Sequence, residues 1–419
     1  MNPLHASVRR IQDAGKRDAT LLEHELLHAV IDDEGGMIPE LSSPSGNGRI
    51  NAHLIPWFRP ISGETFDEAK HGSFWVNKIH FHFAGNFPCF PNFGAGGLVD
   101  GAELPFHGWS ANLNWHFVKS GTDEESGAAW ACTEMKSQNP AMPLDMLKID
   151  AIIPKHAVHY SSITVKNNGT KDIAINPGFH NLLGAPFLMP GCKVSFAADR
   201  WATQPNQESS SSDECSQLRQ GTEFDSLEKA PLASGGHTDI SLVPPPIGYS
   251  DFVVGAIPDS LSLGWSVVTN PLIKKAYICF FPGQAAAVED DIVLRFNCFL
   301  MEYGGRHYTP YAARRGGTDL TYCIGTENVL GSFVDGIEES RRAGKLLGAP
   351  TTVTIPAHGR KTLRYGTLFA SYDNSILNMG IKSIQAEESD IVVLGSGNSY
   401  VSFKADPGFV ILKRIMAEM

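Results

Sequence analysis

The first thirty residues carry apolar side chains at the spacing of an amphipathic helix. The apolar positions recur at steps of three and four residues: Leu21, Leu22, Leu26, Leu27 and Val30. Residues at this spacing lie on one face of a helix, which can pack against a neighbouring domain. The pattern therefore predicts that residues 1–30 form an N-terminal helical extension.

From about residue 31 the pattern changes to short runs of β-branched and aromatic residues separated by Gly, Pro, Asn and Asp. The clearest runs predict strands at 74–83, 161–166, 265–269, 276–281, 351–355 and 390–394. Helical patterns are rare between them, with exceptions at 334–347 and 409–418. Because a parallel sheet needs long crossover connections that are usually helical, this order predicts antiparallel sheets. We expect one large, mainly β domain over residues 31–419.

Composition agrees with a folded protein that is rich in turns. The chain has 419 residues, of which 42% are hydrophobic and 19% charged, and it contains 41 Gly and 26 Pro. Its 45 acidic residues exceed its 34 Lys and Arg, which gives a formal net charge of −11. Nucleic acid and anionic lipid both select basic surfaces, so neither is an expected partner.

The cysteines and the absence of a long apolar stretch indicate the cellular compartment in which we expect the protein. Seven cysteines are present, an odd number without a CxxC pair, which favours reduced thiols over a disulfide framework. The N-terminal segment shows no signal-peptide pattern, and no apolar stretch is long enough to span a membrane. We therefore expect a cytoplasmic protein, whose oligomeric state the sequence leaves open.

Three segments place a titratable side chain among turn residues and aromatics. His107 lies in a Pro- and aromatic-rich loop, His180 is predicted in a loop after the strand at 161–166, and Glu327 ends an apolar run. Each alone is more often structural than catalytic. Together, two histidines and a carboxylate suit general acid–base chemistry near neutral pH. The nearby rings of Phe93, Trp109 and Phe179 would suit the apolar faces of a sugar.

A metal site is a weaker alternative. His80 and His82 are separated by one residue, which on a strand would place both imidazoles on one face. The carboxylate that such a site would need a few residues later is absent, since Ala84, Gly85 and Asn86 follow. We therefore predict no metal and no cofactor.

Four segments of the sequence carry a family resemblance. The block GNFPCFPNFGAGGLVDGAELPFHGWSANLNW resembles a motif, FPxFG followed by LPxHG, of hexose-6-phosphate mutarotases, which belong to the aldose 1-epimerase (galactose mutarotase-like) superfamily. ITVKNNGTKDIAINPGFHNLLG resembles the superfamily's strand–turn–His segment, and VTIPAHGRKTLRYGTLFA its closing strands. VIDDEGGMIPEL is similar to its opening strand, so the anchors run in order from about residue 31 to 370.

This resemblance implies a β-supersandwich with a concave sugar-binding face. It also implies that His180 is the acid that protonates the ring oxygen and Glu327 the base that deprotonates the anomeric hydroxyl. His107 would contact a sugar hydroxyl, and Asp251, with Asp239 as the reserve, would hold two others. The remaining expected contacts of the sugar are Trp109, Asn112, Phe93, Phe179 and Arg306.

The chain departs from the phosphosugar enzymes where they hold phosphate. The Arg that follows their His-Gly motif is replaced by Asn112, and the Arg before their Gly-Gly pair is also missing. Since a guanidinium is the usual clamp for phosphate, we expect an uncharged sugar, or a different acidic or glycosidic ligand, in place of a phosphosugar. The leading hypothesis is a mutarotase-like isomerase. The alternatives are another sugar-active enzyme on this scaffold, such as a lyase or keto-sugar isomerase, and a carbohydrate-binding protein without turnover.

Overall fold

A computed structural model describes most of the chain. It covers residues 5–13, 15–73, 75, 77–137, 139–205, 215–312, 321–373, 377–378, 380–395 and 399–419.

The described chain is built mainly from strands. The first sixteen are β1 (Ser7–Gln12), β2 (Asp18–His24), β3 (Leu27–Asp32), β4 (Glu40–Ser45), β5 (Gly48–Asn51), β6 (Asn86–Cys89), β7 (Gly97–Val99), β8 (Ala102–Leu104), β9 (His116–Thr122), β10 (Ala129–Met135), β11 (Leu144–Ile152), β12 (Val158–Asn167), β13 (Ile173–Ile175), β14 (Gly178–Leu183), β15 (Lys193–Phe196) and β16 (Arg200–Thr203). The others are β17 (Glu223–Phe224), β18 (Ala230–Pro231), β19 (His237–Thr238), β20 (Tyr249–Ala256), β21 (Leu263–Asn270), β22 (Lys275–Pro282), β23 (Phe296–Tyr303), β24 (Tyr322–Val329), β25 (Lys345–Leu346), β26 (Ala349–Pro350), β27 (Val353–Ile355), β28 (Arg360–Ser371), β29 (Ile381–Glu387), β30 (Asp390–Gly395) and β31 (Tyr400–Lys404).

Helices are short. The α-helices are α1 (Glu68–His71), α2 (Gly108–Asn112), α3 (Gly336–Ala343) and α4 (Val410–Ala417), and 3-10 turns occur at Lys78–Phe81, Leu227–Lys229 and Gln284–Ala286. None of the helices in these ranges has the length and apolar character needed to cross a membrane.

Two large antiparallel sheets form the centre of the molecule. One has eight strands in the order β15-β21-β22-β28-β12-β11-β10-β9, and the other has seven in the order β17-β16-β20-β23-β24-β14-β6. Their facing side chains make a shared core, where for example the rings of Phe179 and Tyr365 stack with centroids 4.3 Å apart. A five-stranded sheet, β1 to β5, lies against the eight-stranded sheet, and β29 to β31 form a small C-terminal sheet. The expected mainly β, antiparallel sandwich is confirmed.

The predicted N-terminal helix is wrong, because this segment forms β1, β2 and β3. Leu21, Leu22, Leu27 and Val30 belong to two strands joined by a tight turn at 25–26 that contains Leu26, and both β2 and β3 are buried on both faces. Leu22 and Leu27 pack into the main core, whereas Leu21 and Val30 form a small cluster on the other face. Two doubly buried strands with a two-residue turn therefore reproduce the three- and four-residue steps of a helix.

Most other elements follow the pattern, with three differences. The runs at 161–166, 265–269, 276–281 and 390–394 lie in strands, the run at 351–355 is a strand only from Val353, and the helical exceptions are α3 and α4. The prediction at 74–83 is wrong, since Lys78–Phe81 is a 3-10 turn. Conversely, the Pro-rich segment expected to be a loop begins as β6, where Pro88 is tolerated because β6 is the edge strand of its sheet.

Candidate functional site

The sheet register brings His180 and Glu327 together. They lie on the neighbouring strands β14 and β24, not with His180 in a loop as the sequence suggested. Phe179 is opposite Asn328 and Leu182 is opposite Gly325, so His180 and Glu327 face each other between these pairs. At this point the Asn181 side-chain amide donates to the Thr326 carbonyl oxygen at 3.1 Å. A side chain thus contributes to strand pairing beside the two titratable groups.

The two side chains are buried and in contact. His180 Nε2 lies 3.2 Å from Glu327 Oε1, and the residues are 7% and 2% exposed. Burial raises the pKa of Glu327, although the positive charge of Arg306 acts in the opposite direction. Burial also lowers the pKa of His180, and the charges of His80 and Arg306 lower it further. Near neutral pH the pair therefore holds one proton.

His107 forms a second imidazole wall of this site. Its ring centroid lies 4.9 Å from that of His180, and its Nδ1 accepts a hydrogen bond from the Gly94 amide at 3.1 Å. A neutral ring whose Nδ1 accepts carries its proton on Nε2. His107 itself has a positive φ of 61°, and a Cβ on the following Gly108 would meet the Phe90 carbonyl oxygen at 2.2 Å. The turn thus requires Gly at position 108 and holds His107 in a left-handed backbone conformation.

Aromatic rings enclose the two imidazoles. Phe87 stacks on His180 with centroids 4.4 Å apart and 12° between planes, and Phe93 lies 5.0 Å from His107. His180 Nδ1 is buried, and no described residue forms a hydrogen bond with it. An unpaired buried polar atom is costly to stability, and it is typical of a site that gains a partner when a ligand binds.

The space beside the imidazoles is small. A cavity of about 10 Å³ is lined by both histidines and Phe87, and by a cap of Ile79, His80, Phe83 and Tyr311. We call it the inner cavity. His80 is part of the 3-10 turn, and its ring stacks near Tyr308 at 5.7 Å. The cap leaves too little room for a sugar ring in this conformation.

A wide cavity of about 810 Å³ adjoins the inner one, and Ile79 lines both. Its walls include the aromatic rings of Phe66, Phe106 and Trp109. Its charged side chains are three glutamates and one lysine, Glu34, Glu64, Glu103 and Lys78, together with His82. This balance favours a neutral or cationic ligand over an anionic one.

The structure brings some of the candidate residues together and separates others. His107, Glu327 and His180 converge with Phe93 beside them, and Arg306 is close enough to influence the pKa values of the pair. The Arg306 guanidinium lies 4.8 Å above the Tyr311 ring and 3.4 Å from Glu302 Oε2.

The other four candidates lie elsewhere. Trp109 and Asn112 line the wide cavity, but the Asn112 amide already donates to the carbonyl oxygens of Phe106 and Gly108. Phe179 points into the core, since neighbouring residues of a strand face opposite sides. The Asp251 carboxylate accepts hydrogen bonds from the Ser216 hydroxyl and the Leu218 amide, so it holds a loop. The reserve, Asp239, caps the nearby Ser241 amide.

Sequence reasoning missed the cap and the ring that stacks on His180. His80 was considered only as a metal ligand, and Phe87, Ile79, Phe83 and Tyr311 were not singled out. The only sequence signal was the density of aromatics and histidines at 79–83.

The strand geometry assumed for a His80–His82 metal site is also wrong. His80 lines the inner cavity, whereas His82 lines the wide cavity and its Nε2 lies 3.3 Å from the Ala111 carbonyl oxygen. Within the ranges described above, no group of three or more His, Cys, Asp or Glu side chains is placed to hold a metal ion.

Comparison with solved structures identifies the class of fold, which is that of aldose 1-epimerases and galactose mutarotase-like proteins. A protein assigned as an aldose 1-epimerase from Klebsiella pneumoniae aligns with a TM-score of 0.60 and 11% identity, over 88% of this chain and 85% of that one. A galactose mutarotase-like protein from Clostridium acetobutylicum aligns with a TM-score of 0.56 and 11% identity, over 88% and 99%. No protein-family model matches the sequence, and a search of curated proteins gives no match.

Proposed function

We propose that this chain interconverts the anomers of a neutral sugar by acid–base ring opening. The observation that supports this most directly is the buried His180–Glu327 contact, in which two groups share one proton beside aromatic walls. The anomeric hydroxyl and the ring oxygen of an aldose are bonded to the same carbon. An acid and a base that lie side by side can therefore reach both.

The reaction needs no more than the proton of this pair. Transfer of the Glu327 proton to His180 across their contact gives a carboxylate and an imidazolium. The carboxylate then takes the proton of the anomeric hydroxyl while the His180 imidazolium protonates the ring oxygen, and the bond between C1 and the ring oxygen breaks. Rotation about C1–C2 turns the other face of the aldehyde toward the ring oxygen. Return of both protons closes the ring as the other anomer. Each well-placed acid or base contributes about 10²–10⁴-fold in rate.

Access requires the cap to open. The inner cavity is about 10 Å³, so Ile79, His80 and Tyr311 must move before a sugar can reach the pair. Because Ile79 lines both cavities, its displacement would join them into one site with Trp109 and Phe106 on its wall. The three glutamates of the wide cavity and Asn112, in place of the phosphate-binding Arg, favour an uncharged sugar.

Polarimetry tests the proposal. Freshly dissolved α-glucose and α-galactose should equilibrate faster with the protein, and Glu327→Gln should lower this acceleration by about 10²–10⁴-fold. The exposed carboxylate Glu387 provides a matched control, since Glu387→Gln should leave the rate unchanged. Failure to accelerate any sugar in a broad panel, or full activity in Glu327→Gln, would contradict the proposal.

The closed inner cavity favours a second candidate function, carbohydrate binding without turnover. A sugar held in the wide cavity would lie near Trp109, so its binding should change tryptophan fluorescence. Binding in wild type with no acceleration in polarimetry would favour this candidate. Accelerated equilibration that depends on Glu327 would exclude it.

A further inference from the structure

A third cavity, of about 320 Å³, lies where three sheets meet. Ser43 and Pro44 of β4 line it from the N-terminal sheet, Lys275 and Ser371 from the eight-stranded sheet, and Ser402 and Lys404 from the C-terminal sheet. Lys155 also lines it. Among the described residues that form its walls, three are lysines, three are serines and none is a carboxylate. We call it the lysine cavity.

Lys275 is the unusual member of this set, because its ammonium group is buried and no carboxylate of the described residues pairs with it. The residue is 2% exposed, and Nζ donates to Ser43 Oγ at 2.8 Å and to the Pro44 carbonyl oxygen at 2.5 Å. No ion pair joins it to a carboxylate in the described part of the chain, although the Phe369 ring lies 5.6 Å away. An ammonium has three donors, so one is left for a ligand in the cavity.

Burying this cation has a cost. Desolvation, with a smaller contribution from Arg49, lowers the pKa of Lys275 to about 8. Buried charges are normally paired, because an unpaired charge loses its hydration without compensation. An anion in the cavity would provide the missing counter-ion.

The other two lysines lie at the solvent side. Lys404 is 60% exposed and its Nζ lies 2.9 Å from Asp390, which partly neutralises it. Lys155 is exposed and has no ion pair within the ranges that the structure describes. The serine hydroxyls between them can each donate one hydrogen bond. One buried ammonium, two outer ones and three hydroxyls are the donor set that a phosphate group accepts.

We propose that the lysine cavity binds a small phosphate-bearing molecule, with the phosphate on Lys275 and the rest of the molecule against Leu26, Leu368 and Phe403. This site is separate from the His180–Glu327 pair and does not depend on the proposed isomerase activity. Its occupant would connect the N-terminal and C-terminal sheets to the eight-stranded sheet, and it would stabilise the fold by mass action.

Calorimetric titration of the full-length protein tests this site with inorganic phosphate and glycerol 3-phosphate, with glycerol and sodium chloride as references. We expect both phosphates to bind and to raise the melting temperature, and the two references to do neither. Tighter binding of the ester identifies a phosphomonoester site, and equal binding identifies free phosphate as the occupant. No binding of either phosphate overturns the proposal.

Two sets of variants locate the binding. The double variant Lys155→Ala with Lys404→Ala should bind inorganic phosphate at least tenfold more weakly. Its fold should stay intact, since both residues are exposed. Lys171→Ala with Lys382→Ala removes two exposed lysines that do not line the cavity and should change nothing. Lys275→Met should abolish binding. Unchanged phosphate affinity in the first double variant would overturn the proposed phosphate site. Glu327→Gln should bind phosphate with wild-type affinity, which keeps this test separate from the proposed isomerase activity.

Discussion

Among the described residues, each large sheet has a buried contact between a histidine and a carboxylate, and the environments of these two contacts are opposite. In the seven-stranded sheet His180 Nε2 lies 3.2 Å from Glu327, and in the eight-stranded sheet His159 Nε2 lies 3.0 Å from Asp150. The residues are similarly buried. Yet the pKa of Glu327 is raised, whereas that of Asp150 is lowered to about 2.

The difference comes from a third charge. Burial alone would raise the pKa of Asp150, but Lys148 Nζ donates to Asp150 Oδ2 at 2.7 Å and, with His159, holds the carboxylate ionised. Glu327 has only the more distant Arg306 to offset its desolvation. Asp150, His159 and Lys148 therefore form a structural cluster in which the carboxylate stays ionised. The incomplete set, beside a cavity, leaves Glu327 with a raised pKa, which is the property that the proposed acid–base reaction uses.

The largest expected difference between the two contacts is in how much the loss of the carboxylate lowers the free energy of unfolding. Asp150→Asn leaves the Lys148 ammonium buried without a counter-ion, so we expect a loss of about 3–5 kcal/mol in the free energy of unfolding. Glu327→Gln removes a desolvated carboxyl group and should change stability by less than about 1 kcal/mol. Urea denaturation of both variants measures the contrast. Equal losses in the two variants would mean that the clusters do not differ as described.

A smaller effect is expected on the way the free energy of unfolding depends on pH. Because the folded pKa of Asp150 lies below its unfolded value, its contribution of about 2–3 kcal/mol is present above about pH 4 and is lost as the pH falls toward 2. Glu327 has the opposite sign: its raised pKa keeps a proton that the unfolded chain has released, so stability falls as the pH rises above the ordinary carboxyl range.

Denaturation series across pH check both signs. Asp150→Asn should flatten the acid limb, and Glu327→Gln should flatten the decline at higher pH. The activity proposed for the pair should fall on both sides of neutrality, because losing its proton removes the acid and gaining a second removes the base. An acid limb unchanged in Asp150→Asn would contradict the assignment of Asp150 as an ionised structural group.

The smallest effect concerns the support of the His180–Glu327 pair. The Tyr365 hydroxyl accepts from Asn181 Nδ2 at 2.6 Å and donates to Asn328 Oδ1, and these amides adjoin the two titratable residues in sequence. Tyr365→Phe should cost about 1–2 kcal/mol of stability. It should also lower kcat about tenfold with little change in KM, since it misplaces the pair without touching the sugar.

Tyr372→Phe, which loses a hydroxyl bonded to Asn378, is the control. A kcat that does not change in Tyr365→Phe would show that these amides do not position the pair.

The sequence could predict the fold class and single out the titratable groups, because both depend on local patterns, whereas their convergence was implied only by the family resemblance. Alternating β-favouring runs indicate antiparallel sheets, and His107, His180 and Glu327 stand out through the turn and aromatic residues around them. The N-terminal segment was misassigned because strands that are buried on both faces lose the alternation that marks a strand.

Other features depend on tertiary contacts that no local pattern encodes. Phe179 was expected at the sugar, but the strand containing His180 directs adjacent side chains to opposite faces. Asp251 was expected there too, but a loop 33–35 residues earlier in the chain uses its carboxylate. The cap at Ile79 and His80 closes over the pair only because the 3-10 turn folds back onto the sheet.

Ile79 lines both the inner and the wide cavity. In the proposed reaction, the side chain shared by the two cavities is therefore not one of the groups that transfer protons. Shortening or lengthening the side chain at residue 79 would change the opening between the cavities, while His180 and Glu327 stay on β14 and β24. We expect substitutions at this position to alter which sugars the proposed isomerase accepts without altering its proton transfer.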